Sequence, residues 1–452
     1  MSKVDQGLTS VPKGILMREG ANSICRILGE AGFEALLAGG CVRDTLLKVH
    51  PKDYDIATSA TPDQVAQLFP NCISVGAVFG VQTVVLNDVQ YEVATFRSDG
   101  KYSDGRRPDS VEFCDAQHDA ERRDFTVNAL FMNPETNEII DYVNGQSDLS
   151  NRCIRAFGDP ETRFGEDHLR LLRAVRFSSQ LDFEIEADTY AALCTQASLL
   201  KGISAERIRN ELERILTQPR ASQAFQILLD TGLLAAFLPE LIATVDCQQP
   251  PEYHPEGDVF THTLLLLDHL ESPTFTLAMA ALLHDIGKPV TQTFEDRIRF
   301  NQHEKVGASM TDSICNRLHL SNDHTDRITW LVAQHMRIGV APDMRESKRK
   351  RLVREEGFDE LLKLMRVDCL ASHGDLSTYA WLKDYSENMP PEDVHPEPLL
   401  TGNDLIELGY VPGPLFKEIL TALEDAQLEG EIDQRDAALD FVQKRWPITT
   451  PN

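Results

Sequence analysis

The chain has 452 residues, with 71 acidic against 44 basic side chains and a formal net charge of −27. That length exceeds one ordinary hydrophobic core, so roughly two to four domains are expected. The acidity excludes a protein that coats nucleic acid with a wholly basic surface; any RNA contact must be a local basic patch.

In chain order, the opening "MSKVDQGLTSVPKG" has no apolar signal core. The first chemically informative stretch is "LLAGGCVRDTLLKVHPKDYDIATSA", residues 36–60. A short apolar strand runs into Gly39 and Gly40, then Arg43, then Asp53 and Asp55. Strand residues two apart share a side, so the spacing predicts both carboxylates together and Tyr54 facing away. Two hard oxygen ligands side by side suit Mg²⁺. The glycines remove side chains where backbone must approach a bulky anion, and Arg43 supplies positive charge beyond them. Together these parts fit a nucleoside triphosphate held by its phosphates beside a metal pair. The plainer alternative is a tight turn and a solvated acidic loop.

Residues from about 30 to 150 mix runs such as "VQTVVL" and "YEVATF" with turn signals, an α+β texture. Glu92 is a third carboxylate on an adjacent strand, or simply an exposed strand glutamate. After residue 160 the apolar spacing becomes helical. In "EDHLRLLRAVRF", Asp167, Arg170, Arg173 and Arg176 step by three, which predicts one helix with a drifting polar stripe opposite Leu171, Leu172 and Val175. A carboxylate accepts from an exocyclic amine and a guanidinium donates to a ring nitrogen or carbonyl, so Asp167 with Arg170 can imitate a complementary base for cytosine or adenine. Surface salt bridges on an amphipathic helix are the alternative.

Paired prolines in "CQQPPEYHPEG" (247–257) and "ENMPPEDVHPEPLL" (387–400) predict domain boundaries. "LLLLDHL" (264–270) is too short to span a bilayer. His262, the His284–Asp285 doublet and Asp368, with His303 and His335 nearby in the pattern, combine imidazoles and carboxylates suited to a divalent metal. "RESKRKRLVR" (345–354) is a local basic run, either a solvated helix face or a grip on an RNA backbone. The nine cysteines stand without a CxxC pair, as reduced thiols in a cytoplasm do, so a cytoplasmic protein without membrane contact is expected.

"GGCVRD" followed by "KDYDIAT" resembles the head of the class II tRNA nucleotidyltransferase and poly(A) polymerase family. The likeness continues in order through "EVATFR" (92–97), "ERRDFTVNAL" (121–130), "GEDHLRLLRAVRF" (165–177) and "AERIRNEL" (205–212). The resemblance implies an α+β protein: a polymerase β-like head with a small mixed or antiparallel sheet, then an all-helical neck, an HD-like body and a tail. The corresponding boundaries are residues 1–150, 151–246, 247–390 and 391–452.

By the same resemblance Asp53 and Asp55 bind catalytic Mg²⁺, Arg123 binds phosphate and Asp124 ribose, although Asp124 also suits a helix cap ahead of "FTVNAL". Asp167 and Arg170 serve as a protein template for C and A, with Arg173 and Arg176 binding phosphate or supporting the stripe. "SDGKYSDGRRPD", with Gly100 and Gly105, is similar to the family's flexible loop or is a simple hairpin. "AERIRNELERIL" is similar to the family's neck helix that braces the templating helix, with Arg207 and Glu211 structural rather than catalytic. The later His/Asp set resembles the ligands of HD-type phosphohydrolases, with a second divalent metal, or is a retained scaffold.

The implied activity is addition or repair of the 3′-terminal CCA of tRNA from CTP and ATP. A poly(A) polymerase or A-adding enzyme is the near alternative. Alternatives of other classes are an HD-type metal-dependent phosphohydrolase and a non-catalytic RNA-binding protein.

Overall fold

The computed structural model describes residues 13–74, 79–102, 104–394 and 396–447. Residues 1–12 of the opening stretch without a signal core, Ser103 of the glycine-bearing loop and His395 of the second proline break lie outside the described residues. Two compact units are present, Met1–Pro239 and Glu240–Asn452. Among the described residues no helix is long and apolar enough to cross a membrane, and the nine cysteines are all unpaired.

The first unit is built on strands β1 (Ala35–Ala38), β2 (Asp55–Thr58), β3 (Cys72–Ile73), β4 (Val81–Leu86), β5 (Val89–Thr95), β6 (Arg97–Asp99), β7 (Val111–Phe113), β8 (Phe131–Met132) and β9 (Ile139–Ile140). Seven of them form a mixed sheet in the order β3-β4-β5-β2-β1-β8-β9. Its one parallel pairing is β2 with β5. Strand β1 reads as a continuous apolar run because both faces of the sheet are covered. Leu37, Ile56 and Val93 enter one core with Ala21, Ile24 and Leu28 of the helix Lys13–Glu30. Leu36, Ala38 and Ala57 enter a second core with Phe96 and Phe131.

The register places Asp55 directly opposite Ala38, the residue before the two glycines. Strand β2 begins at Asp55, so Asp53 precedes the strand instead of sharing it, which corrects the expectation that both are strand residues. Tyr54 points into the first core, as the alternation requires.

A larger correction concerns "EDHLRLLRAVRF". The stretch is broken: one helix covers Pro160–Glu166 and the next Arg170–Leu181. Asp167 lies in the break with an extended backbone (φ −133°, ψ 103°). Its Oδ1 accepts from the Leu169 amide at 3.1 Å, satisfying a donor that the second helix would otherwise leave free. The stripe therefore contains three helical arginines and one carboxylate from the junction. "FTVNAL" forms only a single 3₁₀ turn, Thr126–Asn128. Asp124 ahead of it accepts from the Phe125 amide at 2.8 Å and from Asn128 Nδ2 at 3.2 Å.

The rest of the chain is mostly helical, with two small exceptions: a parallel pair Cys153–Ile154/Glu184–Ile185 and an antiparallel pair Gln292–Phe294/Ile298–Phe300. In the second unit the helices Val259–Asp268, His303–Arg317, Asn322–Ile338 and Phe358–Ala371, and the turn that follows the helix Phe275–Leu283, carry its chemistry-bearing residues.

The basic run forms the helix Glu346–Arg354 and is not a free phosphate grip. Arg351 and Arg354 each reach Glu424 at 2.6 Å, Arg351 also pairs with Asp425, and Lys350 Nζ donates to the Leu428 carbonyl at 3.0 Å. Arg349 stacks over Trp381 and Tyr385. Three of its cations, Lys350, Arg351 and Arg354, are thus engaged on the acidic helix Pro414–Leu428.

Candidate functional site

A cleft of about 460 Å³ in the first unit is lined by every nucleotide-site residue expected there: Gly39, Gly40, Arg43, Asp53, Asp55, Arg123, Asp124, Asp167, Arg170, Arg173 and Arg176, together with Glu92. The turn after β1 needs a glycine at Gly39, where φ is +70° and an added Cβ would lie 3.0 Å from Arg123 Nη1. Gly40 has ordinary room.

Asp55 and Glu92 each precede by one residue the paired Ile56 and Val93 of parallel β2 and β5, so they open onto the same end of the sheet. Burial, then the charges of Asp53 and Glu92, push the Asp55 carboxyl up to about 6, against the relief offered by Arg123. Asp53 and Glu92 stand near enough to Asp55 for their charges to act on it, and the all-oxygen character of the three fits a hard divalent ion.

Guanidinium groups line the same cleft. Arg43 is buried, with Nη1 donating to Asn128 Oδ1 at 2.6 Å and Nε to Asp44 at 2.8 Å. Buried Asp119 holds Arg122 at 2.7 Å and Arg123 at 3.0 Å. Arg43, Arg173 and Arg176 all pack on the ring of Phe177, at 5.3, 5.3 and 4.1 Å from its centroid. Asp124 accepts from Arg173 Nε at 2.8 Å. Burial alone would favour its neutral acid, but Arg173 carries it down to about 2.

Asp167 and Arg170 line the cleft without pairing to each other. Asp167 Oδ1 receives Arg207 at 2.9 Å, and Arg170 reaches Glu166 at 2.5 Å and the Arg163 carbonyl at 2.8 Å. Arg176 is bound to Glu211 at 2.7 Å with both side chains buried. The glycine-bearing segment between β6 and β7 is a paired hairpin. Its Gly105, at φ +63°, lies under His168, whose amide donates to the Gly105 carbonyl at 3.1 Å. Asn128, Phe177 and Arg122 were missed as site residues, although Arg122 stands beside Arg123 in the quoted motif.

The second constellation also assembles. His262 Nε2 lies 3.1 Å from Asp368, and His284 Nε2 lies 3.2 Å from Asp285. His303 Nε2 and His335 Nε2 lie 3.3 and 3.8 Å from Asp285. Yet His262 Nε2 and His284 Nε2, both buried, have no aligned hydrogen-bond partner. Orphaned imidazole nitrogens beside carboxylates fit a divalent metal.

Two groups from the proline-rich segment 247–257 were missed. Glu256 Oε1 accepts from His262 Nδ1 at 2.7 Å and from His254 Nδ1 at 2.9 Å. Burial depresses His262, but Asp368 and Glu256 carry it up to about 9. Burial pushes His335 down to about 4 and keeps it neutral. A cleft of about 470 Å³ opens over this cluster, with Lys288, Arg297 and Arg299 in its wall.

Residues 35–155 match the Poly A polymerase head domain, 182–244 the "Probable RNA and SrmB- binding site of polymerase A", and 258–371 the HD domain. A CCA-adding enzyme of Levilactobacillus brevis is 33% identical over 422 residues, spanning 93% of this chain and 96% of that one. The chain belongs to the CCA-adding enzymes.

A CCA-adding enzyme of Lactobacillus helveticus is 49% identical over 214 residues; the match takes in 47% of this chain and 53% of the relative, so the chain spans about half the length of that relative. The solved CCA-adding enzyme of Bacillus stearothermophilus in complex with CTP superposes with a TM-score of 0.76 at 29% identity, covering 96% of this chain and 99% of that one. The α+β architecture is thus that of the CCA-adding enzymes, with a nucleotidyltransferase head and an HD domain whose carboxylates and imidazoles are arranged for divalent metal.

Proposed function

We propose that this protein adds or repairs the 3′-terminal CCA of tRNA, using CTP, ATP and Mg²⁺. One observation carries the reading: the acidic trio Asp53, Asp55 and Glu92 lines the same cleft as the base-sized donors and acceptors Asp167 and Arg170. Magnesium held by Asp53 and Asp55 would supply activation of the RNA 3′ hydroxyl and charge compensation for the departing pyrophosphate.

The residues do the rest by placement. Arg43 and Arg123 receive phosphate oxygens beside the Gly39–Gly40 turn, and Arg173 and Arg176 either receive them too or hold the stripe in position. Asp124 accepts from a ribose hydroxyl while Arg173 keeps it ionised. Asp167 accepts the exocyclic amine of C or A, and Arg170 donates to the acceptor beside that amine. Each then exchanges an internal partner, Arg207 or Glu166, for the base. The side chains are ordered before the nucleotide arrives, which limits the entropy of binding. Head, neck, HD-type body and tail, residues 1–150, 151–246, 247–390 and 391–452, are the partition of labour that goes with this reading, in a cytoplasmic protein.

Purified protein, Mg²⁺ and tRNAs truncated before the first C, between the two, or before the A, each given one triphosphate, test it. Two cytidines followed by one adenosine are expected. Long adenosine tails on unrelated RNA would replace this reading with a poly(A) polymerase; adenosine alone, with no cytidine, would make it an A-adding enzyme.

A second reading is favoured by the orphaned His262 and His284 nitrogens: the HD-type body is a metal-dependent phosphoester hydrolase in its own right. Hydrolysis of a 2′,3′-cyclic phosphate that survives Asp55→Ala and is lost in His284→Ala is the expected result.

A further inference from the structure

We infer that Phe177 is a positioning residue for the triphosphate: its ring gathers Arg43, Arg173 and Arg176 at the head cleft without cancelling their charge. The inference rests on the nucleotidyl-transfer reading of that cleft and goes beyond it by naming what holds the cations in place.

Phe177 stands on the helix Arg170–Leu181 and lines the cleft. Three guanidinium groups meet its ring, at 5.3 Å from the centroid for Arg43, 5.3 Å for Arg173 and 4.1 Å for Arg176. Two of them belong to the same helix as the ring, whereas Arg43 comes from the helix Gly40–Leu46, which follows the glycine turn of the head. The ring therefore joins the phosphate turn to the arginine stripe. Other rings of this unit, such as Phe131 with Arg123 and Phe183 with Arg152, hold one cation each. Fully buried Phe125 packs against Phe177 at 76° with centroids 5.8 Å apart, which fixes the plane of the ring.

Like charges gathered this closely repel one another. Each guanidinium has a carboxylate partner: Asp44 lies 2.7 Å from Arg43, Asp124 2.8 Å from Arg173 Nε and Glu211 2.7 Å from Arg176. Further carboxylates would offset the remaining repulsion, but they would also cancel the positive charge that a triphosphate needs. An aromatic face draws cations through its quadrupole and adds no negative charge. The cleft keeps its attraction for phosphate oxygens.

The ring contact also consumes no hydrogen-bond donor. Arg43 gives Nη1 to Asn128 and Nε and Nη2 to Asp44, and a guanidinium has five N–H groups, so donors remain for a phosphate oxygen. An aliphatic side chain of similar size would fill the same space without holding the cations.

The test uses the full chain with Phe177 replaced by phenylalanines bearing one, two or three ring fluorines, and by Phe177→Leu. Fluorine withdraws electron density from the ring face and largely keeps its shape. CTP binding is measured by calorimetry with Mg²⁺, beside single-nucleotide incorporation on tRNA lacking its CCA, with melting curves checking the fold. Affinity for CTP should fall stepwise along the fluorinated series, by about tenfold at three fluorines, with KM rising more than kcat falls. Phe177→Leu should match the trifluorinated chain. Equal CTP affinity throughout the series, or a loss confined to Phe177→Leu, would overturn the role of the ring and leave the nucleotide site standing. A parent chain that binds no CTP would overturn both.

Discussion

Asp55 shows how a single side chain ties stability to chemistry. Its carboxyl is pushed up to about 6 from an ordinary 3.8 in the metal-free protein. The folded state therefore binds the proton more tightly than the unfolded state does. The stabilisation is complete below about pH 4 and is lost as pH rises through about 6, roughly 3 kcal/mol in all. Asp55→Asn should consequently raise the thermal midpoint of metal-free protein at pH 7 and flatten its fall between pH 4 and 6, as read by melting in chelator. The same change should cut nucleotide incorporation by roughly 10²–10³-fold, the usual effect of removing one preorganised charge-stabilising group. At Asp167, replacement by Ala should relax the choice among the four triphosphates more than it raises the KM for any one of them, measured by single-nucleotide incorporation.

The residues at Gly39–Arg43, Asp53 and Asp55 were legible because their chemistry is local. Asp167 sits in a helix break instead of on the helix that spacing by three predicts, because its carboxylate caps the Leu169 amide, a helix-start role that the periodicity does not reveal. Glu256 and His254 carried no periodic signal at all. They sit in a proline-rich turn and meet His262 only through the fold.

Between elements, the decisive contacts are ion pairs that composition cannot assign. The helices Arg170–Leu181 and Ala205–Leu216 are joined by Arg176 and Glu211, both buried. Glu211→Ala leaves an uncompensated guanidinium and should cost about 3–5 kcal/mol in urea unfolding, with the head cleft affected indirectly. The helix Glu346–Arg354 was read correctly as basic, but its partner was not visible: the acidic tail helix lies some seventy residues on. Since Arg351 and Arg354 are already engaged there, replacing both with Ala should lower stability by about 1 kcal/mol. The salt dependence of RNA binding should stay unchanged, because phosphate contacts rather than internal pairs set that slope. The strands of the head were plain from their apolar runs and turns, whereas the parallel pairing of β2 with β5 depends on chain crossing that no local pattern encodes.

At the scale of the molecule, two compact units each carry their own acidic or imidazole-rich cluster. Variants should therefore dissociate the activities: Asp55→Ala loses nucleotide addition and keeps phosphoester hydrolysis, His284→Ala does the reverse, and parallel assays of both reactions on each variant check it.

The sheet of the head also imposes an order in time. Strand β1 is an interior strand, flanked by β2 on one side and by β8 on the other, where Phe131 meets Ala38. A chain still emerging from the ribosome can pair β1 with β2 early, but the other flank stays bare until Phe131 and Met132 have been synthesised. Premature termination anywhere before them yields a polypeptide with an open apolar edge, a substrate for chaperones and proteases instead of a partial enzyme.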